Sequence, residues 1–330
     1  MKNTQDKLSA QAFVAAAYIK EIGRGKEGAR DLSRDDAYQL YAAMLDQRVS
    51  DLEMGGILLA MRIKGESIEE IAGFLSAAED RLEKLSAPRD NKFAPVVIPS
   101  YNGARKRPNL TPLLAMLLAR EGVPVVVHGL MQDAGRVCTA EIFESLEIHP
   151  AQSMEQAQQQ IAEHNLAFVP ISVLSPSMYR LLMMRKVLGL RNSTHTLVKL
   201  LQPLNMPALR LTSYTHPEYQ LMLDRYFREL APHDQGAVLL MRGTEGETVA
   251  STGRAQQIDS YLCGVSEVVQ QSSSQLVAEP ESLPSDISAQ STAAWINEVV
   301  NGRIPVPSNI AQQVQHCLQL AKKLKSGVAL

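Results

Sequence analysis

Arg105, Lys106 and Arg107 stand in an unbroken row, four residues after Tyr101 and just before Pro108. Three adjacent cations suit the capture of phosphates, and a nearby phenol ring offers a face on which a base can stack. Arg191, His195 and Lys199 recur at i, i+4 and i+8. If residues 192–201 are helical, these three side chains lie along one face, while Leu197, Val198, Leu200 and Leu201 occupy other angles. The chemistry this points to is anion binding rather than bond making. His128, His149, His164, His195, His216, His233 and His316 show no HxH or HxxxH spacing, and no catalytic or metal-binding constellation stands out.

The charge pattern repeats this message on a larger scale. Residues 164–217 hold no Asp or Glu but carry Arg180, Arg185, Lys186, Arg191, Lys199 and Arg210. A second acid-free run, residues 91–120, carries Lys92, Arg105, Lys106, Arg107 and Arg120. The chain is formally −2, so the remainder must sum to −13, which is −2 minus the 11 charges of the two runs. Such segregation makes a one-sided positive field possible in a chain whose pI is only 6.4. The same gaps would arise if these segments are rich in buried strands and helices, which exclude carboxylates anyway.

With 330 residues, 45% of them hydrophobic, the chain can bury a sizeable core and is expected to form two domains. No stretch reaches the length of a spanning helix, and the start MKNTQDKLSAQ lacks the layout of a signal peptide, which places the protein in the cytoplasm. Cys138, Cys263 and Cys317 are too few and too scattered for a disulfide frame or a thiolate metal site, and are expected to pack as small apolar side chains.

The elements that must position these residues fall into two textures. The first 85 or so residues read as helices. Ser50-Asp51-Leu52-Glu53 and Ser67-Ile68-Glu69-Glu70 both fit the capping box, and Ser33 with Asp36 is a weaker case. Asp35-Asp36 and Glu69-Glu70 therefore serve first helical turns. Residues 87–91 break the pattern. Short apolar runs then alternate with helical segments at 96–98, 123–127, 168–174, 209–213 and 237–241, which predicts an α/β domain with a largely parallel sheet. Residues 175–204 interrupt the alternation with helix-like sequence. The expected division is therefore discontinuous: 1–90 with 175–204 as a small all-helical domain, and 91–174 with 205–330 as the α/β domain. Residues 270–285 read as a surface loop, and 289–300 and 308–325 as two closing helices, the last ending in Lys322, Lys323 and Lys325.

Two stretches carry a resemblance to a known family. Residues 62–73, RIKGESIEEIAG, and Arg185-Lys186-Val187-Leu188-Gly189-Leu190-Arg191 followed by Leu200-Leu201-Gln202-Pro203-Leu204 resemble signatures of the anthranilate phosphoribosyltransferases. The likeness covers roughly residues 8–260 in motif order. It implies a helical domain hinged to a larger α/β domain of the nucleoside phosphorylase and phosphoribosyltransferase kind, with dimerisation through the helices.

The family's catalytic elements depart from that pattern together. Its glycine-rich diphosphate turn corresponds to Pro99-Ser100-Tyr101-Asn102-Gly103, where proline and tyrosine replace two glycines, removing one amide donor and adding a ring. Asn109 and Thr111 survive as a relic phosphate site, with Pro112 well placed for a first helical turn. The magnesium motif becomes Gly243-Thr244-Glu245-Gly246-Glu247 with one adjacent carboxylate lost, the phosphate-binding lysine before His128 becomes Val127, and a further loop becomes Val137-Cys138-Thr139-Ala140-Glu141.

The loop PSYNGARKRPNLTP and the segment RNSTHTLVKLL resemble the nucleic-acid-binding TrpD-like branch of the family. That branch implies a homodimer whose basic groove binds DNA or RNA with little sequence preference and without the parental activity. The expected function is thus non-catalytic nucleic-acid binding, with single strands favoured because Tyr101 offers a stacking face and no recognition helix is evident. The residues expected to meet the ligand are Tyr101, Arg105, Lys106, Arg107, Arg185, Arg191, His195 and Lys199; no cofactor is expected, magnesium included, and no membrane. Two other readings stay open: a phosphoribosyltransferase or nucleoside phosphorylase with an altered acceptor, kept alive by Arg185, Asn109 and Glu247, and a module whose cationic cleft receives an acidic protein.

Overall fold

A computed structural model describes residues 12–25, 27–88, 90–275 and 283–327. The opening segment read for a leader peptide lies outside these residues, as does 276–282 of the expected 270–285 loop. The chain divides into two compact units, Met1–Arg81 with Pro176–Val198, and Leu82–Ser175 with Lys199–Leu330. The first boundary lies at Arg81, ahead of the break at 87–91.

The first described elements are α1 (Ala16–Ile22), α2 (Arg34–Leu45), α3 (Asp51–Lys64) and α4 (Ile68–Glu79). Ser50 and Ser67 complete their capping boxes, each hydroxyl taking the amide three residues on while Glu53 and Glu70 reach back. Ser33 caps α2 through the amide of Asp36. Glu70 also accepts from the amide of Leu32 and from Lys64 Nζ, so its fully buried carboxylate is paired on every side. Leu40, Tyr41, Ile57, Met61, Ile71 and Phe74 form the apolar interior, with the Tyr41 and Phe74 rings 5.0 Å apart.

The second unit builds a sheet from β1 (Val96–Ser100), α5 (Thr111–Arg120), β2 (Val125–Gly129), α6 (Thr139–Ser145), α7 (Met154–His164), β3 (Leu166–Pro170) and α8 (Ile171–Leu174). The run expected as one strand over 168–174 thus divides at Pro170, which has no N–H to extend the ladder. The chain then leaves for the helical unit as α9 (Pro176–Met183), α10 (Arg185–Leu188) and α11 (Thr194–Leu197). There the Tyr41 and Thr194 hydroxyls meet at 2.9 Å. It returns as β4 (Ala208–Tyr214), α12 (Pro217–Glu229), β5 (Gly236–Arg242), β6 (Ile258–Leu262), β7 (Val265–Gln270), α13 (Ala289–Val300) and α14 (Ser308–Lys325). The two closing helices fall where the periodicity put them.

The seven strands run in the order β3-β2-β1-β4-β5-β6-β7, the first five parallel and the last two antiparallel. The architecture is therefore a helical domain plus an α/β domain with a mostly parallel sheet. Both faces of β1 to β3 are buried, which is why these strands read as continuous apolar runs rather than alternating ones. Their cover includes Leu113 and Leu118 of α5, Phe143 of α6, Trp295 and Ile296 of α13, and Ile310 of α14. The β6–β7 hairpin turns on Cys263 and Gly264, both at positive φ, and leaves Cys263 exposed; only Cys138 and Cys317 pack as buried apolar groups.

Candidate functional site

Because β1 pairs with β2 on one side and β4 on the other, the order of the parallel strands reverses at the β1–β4 junction. Ligands of open α/β sheets bind beyond the carboxyl ends of strands at such a switch point. β1 and β2 finish level, with Ser100 opposite Gly129, and they lie so close that a Cβ on Gly129 would sit 1.9 Å from the Ser100 carbonyl oxygen. The turn after β1 is thereby fixed at the sheet's edge.

That turn is occupied by the chain itself. Glu247 Oε1 accepts from the amides of Asn102 and Gly103, both at 2.7 Å, and the carboxylate of Glu245 accepts from the amides of Arg105 and Lys106. Ala104 and Val137 exchange both of their backbone hydrogen bonds. Asn102 Nδ2 donates to the Gly246 carbonyl at 2.7 Å, and Ser213 of β4 and Lys199 donate to the same oxygen. Glu245 and Gly246 both adopt positive φ, the sharp turn that aims two carboxylates two residues apart at this row of amides. Glu247 is buried, and its second oxygen Oε2 has no partner among the described residues. An amide nest of this kind is a general anion receptor. Here its anions are side chains about 140 residues away, and nothing local in the sequence signals the pairing.

The polar groups behind the turn are locked too. Asn109 Nδ2 donates to Thr139 Oγ1 at 2.8 Å, its Oδ1 accepts the Thr111 amide at the start of α5, and Ser100 Oγ donates to Thr139 Oγ1. Asn109 and Thr111 are both buried. Tyr101 corrects the stacking expectation. It is only 5% exposed, its hydroxyl meets His128 Nδ1 at 2.7 Å, and its ring stands edge-on to the imidazole. An apolar ring at the sheet's end gains more by turning inward than by facing water. Burial, and then the charge of Glu247, raise the Tyr101 phenol well above its usual range. Burial alone pulls His128 down to about 3, so its ring is neutral near pH 7, and Nε2 lacks a partner among the described residues.

Arg105, Lys106 and Arg107 remain on the surface. Among the described residues no carboxylate lies within ion-pair distance of their side chains, although Glu245 sits against the backbone of the first two. Arg136, which the sequence reading passed over, donates to the carbonyls of Asn102 and Gly103 and holds the turn from its other side.

The expected ridge of Arg191, His195 and Lys199 does not form. α11 is a single turn, Thr194–Leu197, so Arg191 precedes it, His195 lies on it, and Lys199 follows in an irregular turn belonging to the other unit. Asn192 marks where this helix starts: its Oδ1 accepts the Thr194 amide and its Nδ2 donates to the Leu181 carbonyl, which sets Arg191 outside the helix. His195 Nδ1 is drawn back to Asn192. Arg185, half-buried, opens α10 in the helical unit. The acid-free run over 91–120 thus puts a basic cluster beside the switch point, and the run over 164–217 does not extend it as a helical face.

Residues 16–81 match a family model described as glycosyl transferase family, helical bundle domain, and residues 103–303 one described as glycosyl transferase family, a/b domain. The chain is 46% identical over 301 residues to the uncharacterized protein YbiB of Escherichia coli K12, covering 91% of this chain and 92% of that one. It is 30% identical over 193 residues to an anthranilate phosphoribosyltransferase of Persephonella marina, covering 58% of this chain and 54% of the enzyme. Among solved structures, the anthranilate phosphoribosyltransferase TrpD of Thermus thermophilus aligns with a TM-score of 0.71 at 20% identity, over 94% of this chain and 89% of that one. The Saccharomyces cerevisiae enzyme in complex with PRPP and Mg aligns at 0.68 and 13%, over 95% of this chain and 89% of that one.

Proposed function

This chain belongs to the TrpD-like glycosyl transferase family, with its helical bundle and a/b domains, and from that premise we propose that it is a non-catalytic, phosphate-directed nucleic-acid-binding protein of the cytoplasm. The observation that carries the reading is the contrast within one loop. Its backbone amides are spent on Glu245 and Glu247, leaving little room for a sugar diphosphate, while the side chains of Arg105, Lys106 and Arg107 stay exposed and without an ionic partner among the described residues. A row of unpaired surface cations attracts a polyanion through the release of its counterions, which is indifferent to sequence. DNA and RNA fit equally, and single strands are the form this proposal takes as favoured. Among the described residues no helix is long and apolar enough to cross a membrane.

The protein acts as a homodimer in this proposal. Leu52, Leu59 and Ile63 recur along α3 and are 88%, 47% and 61% exposed, an apolar stripe that a second copy of the helical unit would cover. Sedimentation of the purified chain at micromolar concentration tests this, a monomer being the contrary result.

Anisotropy titration of a labelled single-stranded oligonucleotide against salt tests the binding. With three or more phosphate contacts at roughly −0.7 each, affinity falls about twentyfold between about 50 and 200 mM salt. Insensitivity to salt over that range refutes the proposal. Calorimetry with phosphoribosyl diphosphate and magnesium addresses the altered-acceptor transferase. Glu247, the carboxylate retained from the metal motif, already serves two amides, so no stoichiometric heat is expected, and clear heat would restore the enzymatic reading.

A further inference from the structure

The loss of Tyr101 as a stacking face leaves the proposed binder without an obvious place for a base. The α/β unit supplies one of a different kind. Beside the basic loop lies a cavity of about 230 Å³ whose walls include Leu110, Val249, Ala250 and Leu283. Lys106 and Arg107 line the same cavity. Its polar groups include Thr244 and Thr252. Thr244 Oγ1 is committed to the Val249 carbonyl, whereas the Thr252 hydroxyl has no hydrogen bond among the described residues.

Resting on the nucleic-acid reading above, we infer that this cavity receives one base of a single strand while Lys106 and Arg107 hold the adjacent phosphates. Three features of the site carry the inference. The volume lies below the roughly 300–1,000 Å³ of pockets that enclose a drug-sized ligand, and so suits one ring system rather than a whole small molecule. The walls combine apolar side chains with polar groups, among them one uncommitted hydroxyl, a mixture that suits a planar heterocycle with a polar edge. Two exposed cations line the same cavity, within reach of phosphates on either side of a base held there, and Arg107 carries a planar guanidinium able to lie on the base. An acidic peptide would satisfy the cations, but only one that also carries an aromatic side chain has something flat and apolar to place in the cavity. A duplex keeps its bases stacked inside, so occupancy of the cavity also selects single strands.

The test compares an intact single-stranded oligonucleotide with an abasic strand of equal length and charge, by anisotropy at fixed salt. The intact strand is expected to bind at least about fivefold more tightly, the scale of one base held against protein. In the variant Leu283→Trp, which fills the cavity from its half-buried wall, that ratio is expected to fall towards one while affinity for the abasic strand stays unchanged; Pro284→Trp serves the same purpose should the first variant not fold. Free adenosine 5′-monophosphate is expected to show no saturable binding up to about 1 mM, because a single phosphate engages too few cations. Equal binding of intact and abasic strands to the unmodified protein overturns the cavity assignment and leaves the phosphate reading standing. A base preference that survives in a folded cavity-filled variant overturns it likewise, and submillimolar binding of the free nucleotide overturns the assignment of a strand as ligand. Absence of salt-dependent binding to either strand sinks the reading on which the inference rests.

Discussion

Two segments of the chain lack carboxylates, and their cations have different fates. In residues 91–120, Lys92, Arg105, Lys106 and Arg107 are exposed, the last three on one loop. In residues 164–217 Lys186 is exposed, but Arg180 donates to the carbonyls of Met44 and Leu45 at the end of α2, and Lys199 donates to the Gly246 carbonyl. Arg210, only 4% exposed, holds Gln235 Oε1 and the Leu200 carbonyl. The second segment lacks acids largely because it supplies buried strands and packed helices, where an unpaired carboxylate is expensive. Burial explains much of the first as well, since β1 and most of α5 are buried; it does not explain the exposed row at 105–107, where a solvated loop would tolerate Asp and Glu. The same charge pattern in sequence therefore has a structural origin in both places, and in the first it also leaves three adjacent cations on the surface.

The largest effect that sharpens this contrast belongs to the buried side. Arg210→Ala leaves two acceptors without their donor and is expected to remove about 3 kcal/mol of stability in urea unfolding, with the salt slope of strand binding unchanged. The matching change on the exposed side is Arg105, Lys106 and Arg107 to Ala together. Binding is expected to weaken tenfold or more for all sequences, and the salt slope to shrink by about two units, with the unfolding midpoint unmoved. If the two variants exchange phenotypes, or share one, the contrast is broken.

How much of this was legible in the sequence follows the range of the interactions involved. The Ser50 and Ser67 capping boxes, the closing helices and the five parallel strands rest on local chemistry and periodicity, and each was readable from its own residues. The β6–β7 hairpin was not, because β7 is mostly solvated and lacks the apolar run that marks the buried strands. The cationic ridge failed because the helix is a single turn: the Asn192 side chain starts it after Arg191, and it ends at Leu197, before Lys199. The inward turn of Tyr101 and the capture of the loop amides by Glu245 and Glu247 are tertiary facts, between residues 27 and 140 or more positions apart. The basic row itself needed no tertiary information, since exposed cations advertise themselves.

Glu245 lies between the two regimes, a half-buried carboxylate fixed to the backbone of the basic row. Replacing it with Ala removes a negative charge beside Arg105 and Lys106 and frees two amides to meet a phosphate. Strand affinity is expected to rise about threefold, the scale of one added hydrogen bond to a charged group partly offset by a looser loop. Weaker binding in Glu245→Ala would mean that the loop's shape, held by this carboxylate, matters more than its charge.

The smallest effect separates the buried interior from the surface by pH. His128 titrates near 3 in the folded protein because burial disfavours its charged form, against about 6.5 in an unfolded chain. Between those values the unfolded state binds the extra proton, so stability present above about pH 6.5 is lost as pH falls towards 3. His316, lowered by burial as well, adds to the same slope. Unfolding midpoints measured from pH 7 to 4 are therefore expected to fall more steeply in the unmodified protein than in His128→Gln, while strand affinity between pH 6.5 and 8 is the same in both. Parallel pH profiles for the two proteins would show that the imidazole is hydrated or charged in the fold.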